Sequence, residues 1–472
     1  MLLSNIVNII NIKNTYNLKK NKFFSSITSN SKLTNKNTLF IYDKNSKIKK
    51  AYIDEAILNE TPAIISNKYL NNIKIPQYIV TDIYKATDSL LKNIHIRTPD
   101  KTIAITGTNG KTSVVWYVSK ILTLLNYNNT SVGTLGHFIN GKKINNVNLT
   151  TPAYEELYKF GSQAKGKKGI FIFEASSHAL EQNRLRDYRI NIAAITNISN
   201  DHLDYHKTFS RYKKSKLKLF TNYLENKGLA VINSRLKNIS ILKKKLIKKE
   251  VNQKYFGDNN LNIKKIKGYI YLSTSKKKYK LKNLKLKNDL ELENLECAIA
   301  CCLSLHISLK KIVKVLSKIN NPPGRLEVIQ YKKKKSKIVI DYAHTPDALK
   351  KILNSFKVKN KKPSVLFGCG GERDKNKRKT MGIIAKKYAS KIYITDDNPR
   401  NEDPLKIRKS ILKYCSNGIE IPDRKKAIII AVKELEMNEV LVIAGKGHEK
   451  VQIINNKKIK FNDLEIVKKI IN

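Results

Sequence analysis

Apolar residues in this chain of 472 residues come in short unbroken runs. Thr102-Ile-Ala-Ile-Thr106, Gly169-Ile-Phe-Ile-Phe173, Ile192-Ala-Ala-Ile-Thr196 and Leu229-Ala-Val-Ile232 are the clearest. Each is too short for a helix, is rich in β-branched or aromatic residues, and is apolar at successive rather than alternate positions. That pattern predicts strands buried on both faces. Helical stretches separate the runs, Thr112 to Leu125 being the first, so a parallel sheet covered by helices is expected. The pattern returns in Lys337-Ile-Val-Ile340, Ser364-Val-Leu-Phe367, Lys391-Ile-Tyr-Ile-Thr395 and Val440-Leu-Val-Ile443, and closes on a helix near Leu464 to Ile471. It predicts a second α/β unit. Ahead of both, Thr38 to Tyr42 and Ala63 to Ile65 read as strands and Ile53 to Leu58 as a short helix. Between Ile263 and Leu286 the pattern changes to alternation, as in Tyr279-Lys-Leu-Lys282 and Leu284-Lys-Leu-Lys287. Alternation predicts half-exposed antiparallel strands with a solvated lysine face. Thr98-Pro99 and Asn321-Pro-Pro-Gly324 punctuate the chain, because the residue before Pro is pushed out of the helical region. Three domains are therefore expected, at residues 1–98, 99–323 and 324–472. No internal repeat stands out.

Composition changes this picture little, and charge changes it only in one respect. Hydrophobic residues make up 41%, enough to bury ordinary cores and to exclude a wholly disordered chain. With 92 Lys+Arg against 38 Asp+Glu the formal charge is +54, which raises the question of a nucleic-acid or anionic-membrane partner. Arg supplies only 12 of the 92, whereas a protein that grips phosphate or reads guanine favours the guanidinium fork. Lys is scattered along the whole chain and accompanied by Asn, Ile and Tyr, which share A/T-rich codons. The charge is therefore read as coding bias, with no nucleic acid and no membrane as partner. The five cysteines form no CxxC pair and no zinc spacing, which suits a reducing compartment. The first residues lack the basic start and small-residue cleavage site of a signal peptide, although Lys13 to Lys22 is basic and acid-free, as transit peptides are. No stretch approaches the roughly 18–20 apolar residues that span a bilayer. A cytoplasmic protein is expected.

Thr106-Gly-Thr-Asn-Gly-Lys-Thr112 carries the strongest chemistry. It follows a predicted strand and opens a helix, the context in which a glycine-rich turn cradles phosphate. Gly107 and Gly110 allow a tight turn with its N–H groups, including those of Thr108 and Asn109, aimed at oxyanions. Lys111 suits the β- and γ-phosphates, and the Thr112 hydroxyl suits Mg²⁺. The full phosphate-loop pattern asks for a further Gly where this chain has Ile105, so the loop is a short variant. The bland reading, a chance Gly-rich turn, does not explain the flanking strand and helix. Two further clusters follow strands. Glu174, in Phe173-Glu-Ala-Ser-Ser-His178, stands at the end of a strand that faces the ligand crevice in open α/β sheets, where a carboxylate suits Mg²⁺. Asn197-Ile-Ser-Asn-Asp-His-Leu-Asp-Tyr-His206 gathers Asp201, His202, Asp204 and His206. A lone loop histidine is more often structural, but this clustering favours function.

Gly107 to Thr112, Glu174 to His178 and Asp201 to His206 together resemble the Mur ligase family, ATP-dependent enzymes that add amino acids to the UDP-linked peptide precursor of the bacterial cell wall. Gly324-Arg-Leu-Glu327, Asp341-Tyr-Ala-His-Thr-Pro-Asp347, Phe367-Gly-Cys-Gly-Gly-Glu-Arg-Asp374, Asp396-Asp-Asn-Pro-Arg400 and Ala444-Gly-Lys-Gly-His-Glu449 are similar to the branch that adds the third residue, meso-diaminopimelate, to UDP-MurNAc-L-Ala-D-Glu. The resemblance runs from about residue 28 to the C-terminus. It implies an α/β fold of three domains: a small mixed α/β domain for the UDP-sugar, a central P-loop ATPase-like parallel sheet with helices on both faces, and a C-terminal Rossmann-like domain for the amino acid. It implies Mg²⁺ on Thr112, Glu174, His202 and Lys216, with Lys216 carbamylated, and catalytic roles for Lys111, His202 and Lys216. For ATP it adds Asn294, Arg325 and Asp341. For the UDP-MurNAc dipeptide it points to Ser31, Thr150, Thr151, Ser176, Gln182 and Arg184. For diaminopimelate it points to Arg373, Asp397, Asn398, Pro399, Arg400, Gly445 and Glu449. Arg400 offers a fork to a carboxylate and Glu449 an acceptor for an ammonium. Diaminopimelate ends in both groups, lysine in the amine alone. Three positions depart from the family pattern: Asn30-Ser-Lys32 stands for Asp-Ser-Arg, Glu291 interrupts a Gly-x-x-Asn-x-x-Asn string (Asn288, Asn294), and Leu149 replaces an Asn. A monomer acting on small molecules is implied. The alternatives are a lysine-adding or relaxed-specificity ligase and, from another class, a basic nucleic-acid-binding P-loop ATPase.

Overall fold

The structure is a computed structural model that describes residues 1–18, 21–45, 50–164, 169–237, 239–357 and 361–471. At its centre is an eight-stranded sheet in the order Asn252–Phe256, Leu224–Asn233, Ile190–Ile195, Lys101–Thr106, Ile170–Glu174, Asn129–Gly133, Gly136–Ile139 and Lys142–Asn145. The first six strands are parallel. Register puts Ile103 beside both Ile172 and Ile192. Those residues and Ile105 pack under the helices Lys111–Leu124 and Asp289–Ser304. Ala104, Phe171, Phe173, Ala193 and Ile195 face the other way, onto Tyr154–Gly161 and Ser240–Lys248. The expected two-sided burial follows from this alternation of faces.

The expected parallel sheet is present, and two antiparallel strands extend it at one edge. Gly136–Ile139 and Lys142–Asn145 turn back antiparallel to Asn129–Gly133. Gly136 at φ +118° and Gly141 at φ +75° make the reversals, which tight turns allow between antiparallel strands only. Lys142–Asn145 is exposed throughout, so no apolar run marks it. A correction concerns Leu284 to Lys287, which is not a strand. Leu284 and Leu286 are both buried, 1% exposed, in the core beside helix Asp289–Ser304. Two leucines dipping into a core at a helix entrance mimic strand alternation. The alternating stretch before it does form antiparallel strands, Asn262–Ile266, Tyr269–Ser273 and Lys278–Lys280.

The N-terminal region forms a five-stranded sheet, and residues beyond Gly324 form a six-stranded sheet in the order Glu327–Tyr331, Ser336–Asp341, Val440–Ala444, Ser364–Phe367, Ile392–Ile394 and Ile419–Glu420. Only its first strand is antiparallel. The strand ends Thr106, Glu174, Asp341 and Ala444 lead into the loops that meet between the central and C-terminal sheets. Among the described residues no helix is long and apolar enough to cross a membrane. All five cysteines are free and buried.

Candidate active site

The glycine-rich turn is held by neighbours before any ligand is considered. Gly107 has φ +147° and Gly110 φ +86°. A Cβ on Gly107 would stand 1.9 Å from Thr196 Oγ1, and one on Gly110 2.2 Å from Asn294 Oδ1. Both positions therefore favour glycine for conformation, and at Gly107 the packed Thr196 side chain and the Asn197 backbone also leave no room for a Cβ. Asn109 donates its N–H to Asn197 Oδ1 at 2.9 Å, and its carbonyl accepts from Thr196 Oγ1 at 2.6 Å and Asn197 Nδ2 at 3.1 Å. The Lys111 ammonium donates to the carbonyls of Gly107 at 2.8 Å and Thr108 at 2.9 Å. Burial holds it below the ordinary lysine range, opposed by Glu174 and Asp201.

Glu174 is 1% exposed. Thr112 Oγ1 donates to its carboxylate at 3.0 Å and the Thr134 N–H at 2.7 Å. Gly133 makes room for it, since a Cβ there would fall 2.2 Å from Glu174 Oε1. These donors are neutral, and no described cation forms a salt bridge with this carboxylate. A buried carboxylate so placed fits a hard cation with oxygen ligands. The other expected ligands sit one step away. His202, at φ +54°, has Nε2 3.3 Å from Asp201 Oδ2, and burial pushes its pKa down to about 3 despite that partner. Lys216 is 1% exposed and donates to the Gly107 carbonyl at 2.7 Å. Burial, then the charge of Lys111, pulls its pKa well below the usual value. The amine is thus biased to the neutral form that can capture CO₂ and become an anionic oxygen ligand. Among the described residues no three His, Cys, Asp or Glu side chains converge as a metal cluster.

The residues expected to hold diaminopimelate form a second wall. Arg400, at φ +55°, donates from one guanidinium nitrogen to the Gly371 carbonyl at 2.8 Å. A Cβ on Gly371 would stand 1.9 Å from the Pro399 carbonyl. Asn398 Nδ2 donates to Glu449 Oε2 at 2.9 Å. Gly445, φ +110°, brings the backbone so close to Asp397 that a Cβ would lie 2.6 Å from Oδ2. Between the walls, Arg325 lies 4.1 Å over the Tyr342 ring and donates to Thr112 Oγ1 at 3.4 Å. Its Nε is buried without a partner among the described residues. The Leu326 N–H donates to Asp341 Oδ2 at 2.8 Å, and burial raises that carboxyl's pKa.

One cavity of about 380 Å³ joins the walls. Thr108 to Thr112, Glu174, His202, Asn294, Arg325 and Asp341 line it on the phosphate side, and Arg373, Asp397, Asn398, Arg400, Gly445 and Glu449 on the other. Thr150 and Ser176 line it too, and Thr151 Oγ1 donates to the Glu174 carbonyl at 2.7 Å. Lys216, Gly107 and Pro399 stand behind the lining. Gln182 and Arg184 lie outside it and pair with each other at 2.8 Å. Ser31 is not part of this assembly: it donates to Glu55 Oε2 at 2.5 Å in the N-terminal region.

Residues 105–302 match the Mur ligase middle domain and residues 324–447 the Mur ligase glutamate ligase domain. A UDP-N-acetylmuramoyl-L-alanyl-D-glutamate–2,6-diaminopimelate ligase of Rickettsia bellii is 37% identical over 93% of this chain and 94% of its own. The chain belongs to the Mur ligase family. The enzyme of the same name from Rickettsia rickettsii is 39% identical over 91% of each chain. A solved structure bearing that name is 29% identical, with TM-score 0.61 over 95% of this chain and 94% of that one.

Two departures of this Mur ligase from its family pattern have local explanations. Asn30 accepts from the Lys32 N–H, so it caps the turn at Ser31–Leu33. Glu291 takes the N–H groups of Lys287 at 2.5 Å and Asn288 at 2.7 Å, completing a capping box at the start of Asp289–Ser304. Leu149 is 43% exposed, and nothing in the structure explains it. Sequence reasoning missed Asn197 and Asp347. Asp347 Oδ2 accepts from Asn109 Nδ2 and Ser199 Oγ, each at 3.2 Å, so a residue beyond Gly324 holds the phosphate loop. Its place in Asp341 to Asp347 was the available signal.

Proposed function

We propose that the chain joins meso-diaminopimelate to UDP-N-acetylmuramoyl-L-alanyl-D-glutamate in an ATP-driven step of bacterial cell-wall precursor assembly. The observation that carries this reading is a shared cavity with a phosphate loop on one wall and the Arg400–Glu449 pair of charges on the other. Lys111 and the loop N–H groups bind ATP phosphate, and the unpartnered Nε of Arg325 is a further donor for it. Asn294 and Asp341 complete the nucleotide's surroundings. Thr112, Glu174, His202 and carbamylated Lys216 would hold Mg²⁺. The ion, when bound, neutralises charge on phosphate oxygens.

The dipeptide's D-glutamyl γ-carboxylate is directed to the γ-phosphorus by Thr150, Thr151 and Ser176, with Gln182 and Arg184 further along the same substrate. Its oxygen attacks phosphorus, the bond to ADP breaks, and an acyl phosphate results. The amine of diaminopimelate then attacks the acyl carbon, loses its proton and expels phosphate. Arg373 and Arg400 receive the far carboxylate, Glu449 the far ammonium, and Asp397, Asn398, Pro399 and Gly445 shape the pocket. Most of the acceleration comes from positioning and charge compensation. The same reading takes Ser31 for the UDP-sugar, divides the chain at 98/99 and 323/324, and expects a cytoplasmic monomer.

The test is phosphate release from ATP with UDP-MurNAc-L-Ala-D-Glu, alone, with meso-diaminopimelate, and with L-lysine. Release that depends on the dipeptide and on diaminopimelate supports the proposal. Release without the dipeptide, or equal with lysine, overturns it.

A further inference from the structure

Lys446 stands in the turn that delivers Gly445 and Glu449 to the cavity, yet it does not line the cavity itself. It is 0% exposed. Glycines with positive φ flank it, +110° at Gly445 and +52° at Gly447, and a Cβ on Gly447 would lie 2.5 Å from the Gly324 carbonyl. The turn is pressed against the start of the C-terminal region and the lysine is enclosed. Its Nζ donates to Asn398 Oδ1 and to Glu449 Oε2, each at 2.9 Å. Asn398 Nδ2 donates to the same Glu449 Oε2 at 2.9 Å, so three side chains brace one another. Both donors fall on Oε2, and no described residue hydrogen-bonds Oε1.

A buried ammonium is costly to desolvate, and an apolar residue of similar volume usually fills such a space better. The cation here is directed onto a carboxylate that the proposed reaction uses to receive another cation. Arg400 already lies in the field of Arg373, Asp397, Glu449 and Glu372. Lys446 adds one positive charge beside that set. An incoming side chain that ends in an ammonium and a carboxylate is indifferent to this extra charge, because its own charges cancel. One that ends in an ammonium alone is not.

The geometry points to Lys446 as a positioning residue that sets selectivity: it braces Glu449 and Asn398, and its charge disfavours a bare amine against an ammonium–carboxylate pair. This rests on the proposed function. The experiment measures steady-state kinetics of the full chain with meso-diaminopimelate and with L-lysine, for wild type and Lys446→Met. Expected is a KM for diaminopimelate raised about tenfold, an unchanged KM for ATP, and a ratio of kcat/KM values, diaminopimelate over lysine, that falls by at least about tenfold. If wild type turns over but the ratio stays put while kcat and both KM values move together, only the role of Lys446 is overturned. If wild type uses neither amino acid, the proposed function falls and this inference with it. Should Lys446→Met not fold, Lys446→Met with Glu449→Gln removes both members of the pair. An unchanged ratio relative to Glu449→Gln alone then overturns the inference.

Discussion

Lys111 and Lys216 donate to one carbonyl oxygen, that of Gly107, and two ammonium groups so placed cannot both be comfortable. The pair biases Lys216 toward a neutral, nucleophilic amine. In bicarbonate the protein is expected to gain the mass of one CO₂, and Lys216→Met to show no gain and to lose turnover by about a hundredfold or more. Intact mass and phosphate release check both. Arg400→Lys keeps the charge but not the fork; its KM for diaminopimelate is expected to rise about tenfold with that for ATP unchanged. The phosphate loop and Glu174 were legible because strand, turn and helix are local. Resemblance alone points to Lys216, since its partner Gly107 is remote in sequence. A helical wheel holds a trace of the answer: helix Phe209–Lys218 buries Tyr212, Ser215 and Lys216, one face at i, i+3 and i+4.

The loop carrying Asn398 and Arg400 depends on a brace. Arg378, on helix Asn376–Tyr388, grips Glu402 with two bonds of 2.7 and 2.8 Å. This bonding, against some burial, brings the Glu402 pKa down to about 2. The folded pKa lies below the ordinary 4.5, so the contribution is complete above that value and is lost as pH falls toward 2. Glu402→Gln is expected to cost roughly 2 kcal/mol at neutral pH. Urea denaturation should show the gap between wild type and variant closing in acid. Neither partner was singled out from sequence, because a side-chain brace between a loop and a helix leaves no periodic mark. Buried parallel strands did leave one. The exposed hairpin strand Lys142–Asn145 did not, and Leu284 and Leu286 left a misleading one.

Across the whole molecule, Asp347 joins the phosphate loop to the region beyond Gly324. Asp347→Ala is expected to raise the KM for ATP by roughly threefold to tenfold and to enlarge the radius of gyration in small-angle scattering. A net charge of +54 repels itself, so the melting temperature is expected to rise as salt is added to on the order of 0.5 M. The α/β plan was legible from the spacing of apolar runs; the grip between regions was not, since it consists of single polar contacts. The apolar packing is divided differently. One continuous core runs from Leu39 and Ile65 in the N-terminal sheet to Phe173 and Ile195 in the central one. The C-terminal sheet has cores of its own on its two faces. Hydrogen exchange should therefore report two cooperative units rather than three. Amides of Ile64–Ser66 and Ile190–Ile195 would open together, and those of Ser336–Asp341 and Val440–Ala444 separately. A protease that nicks the chain near Pro322 and Pro323 would then release the C-terminal unit still folded.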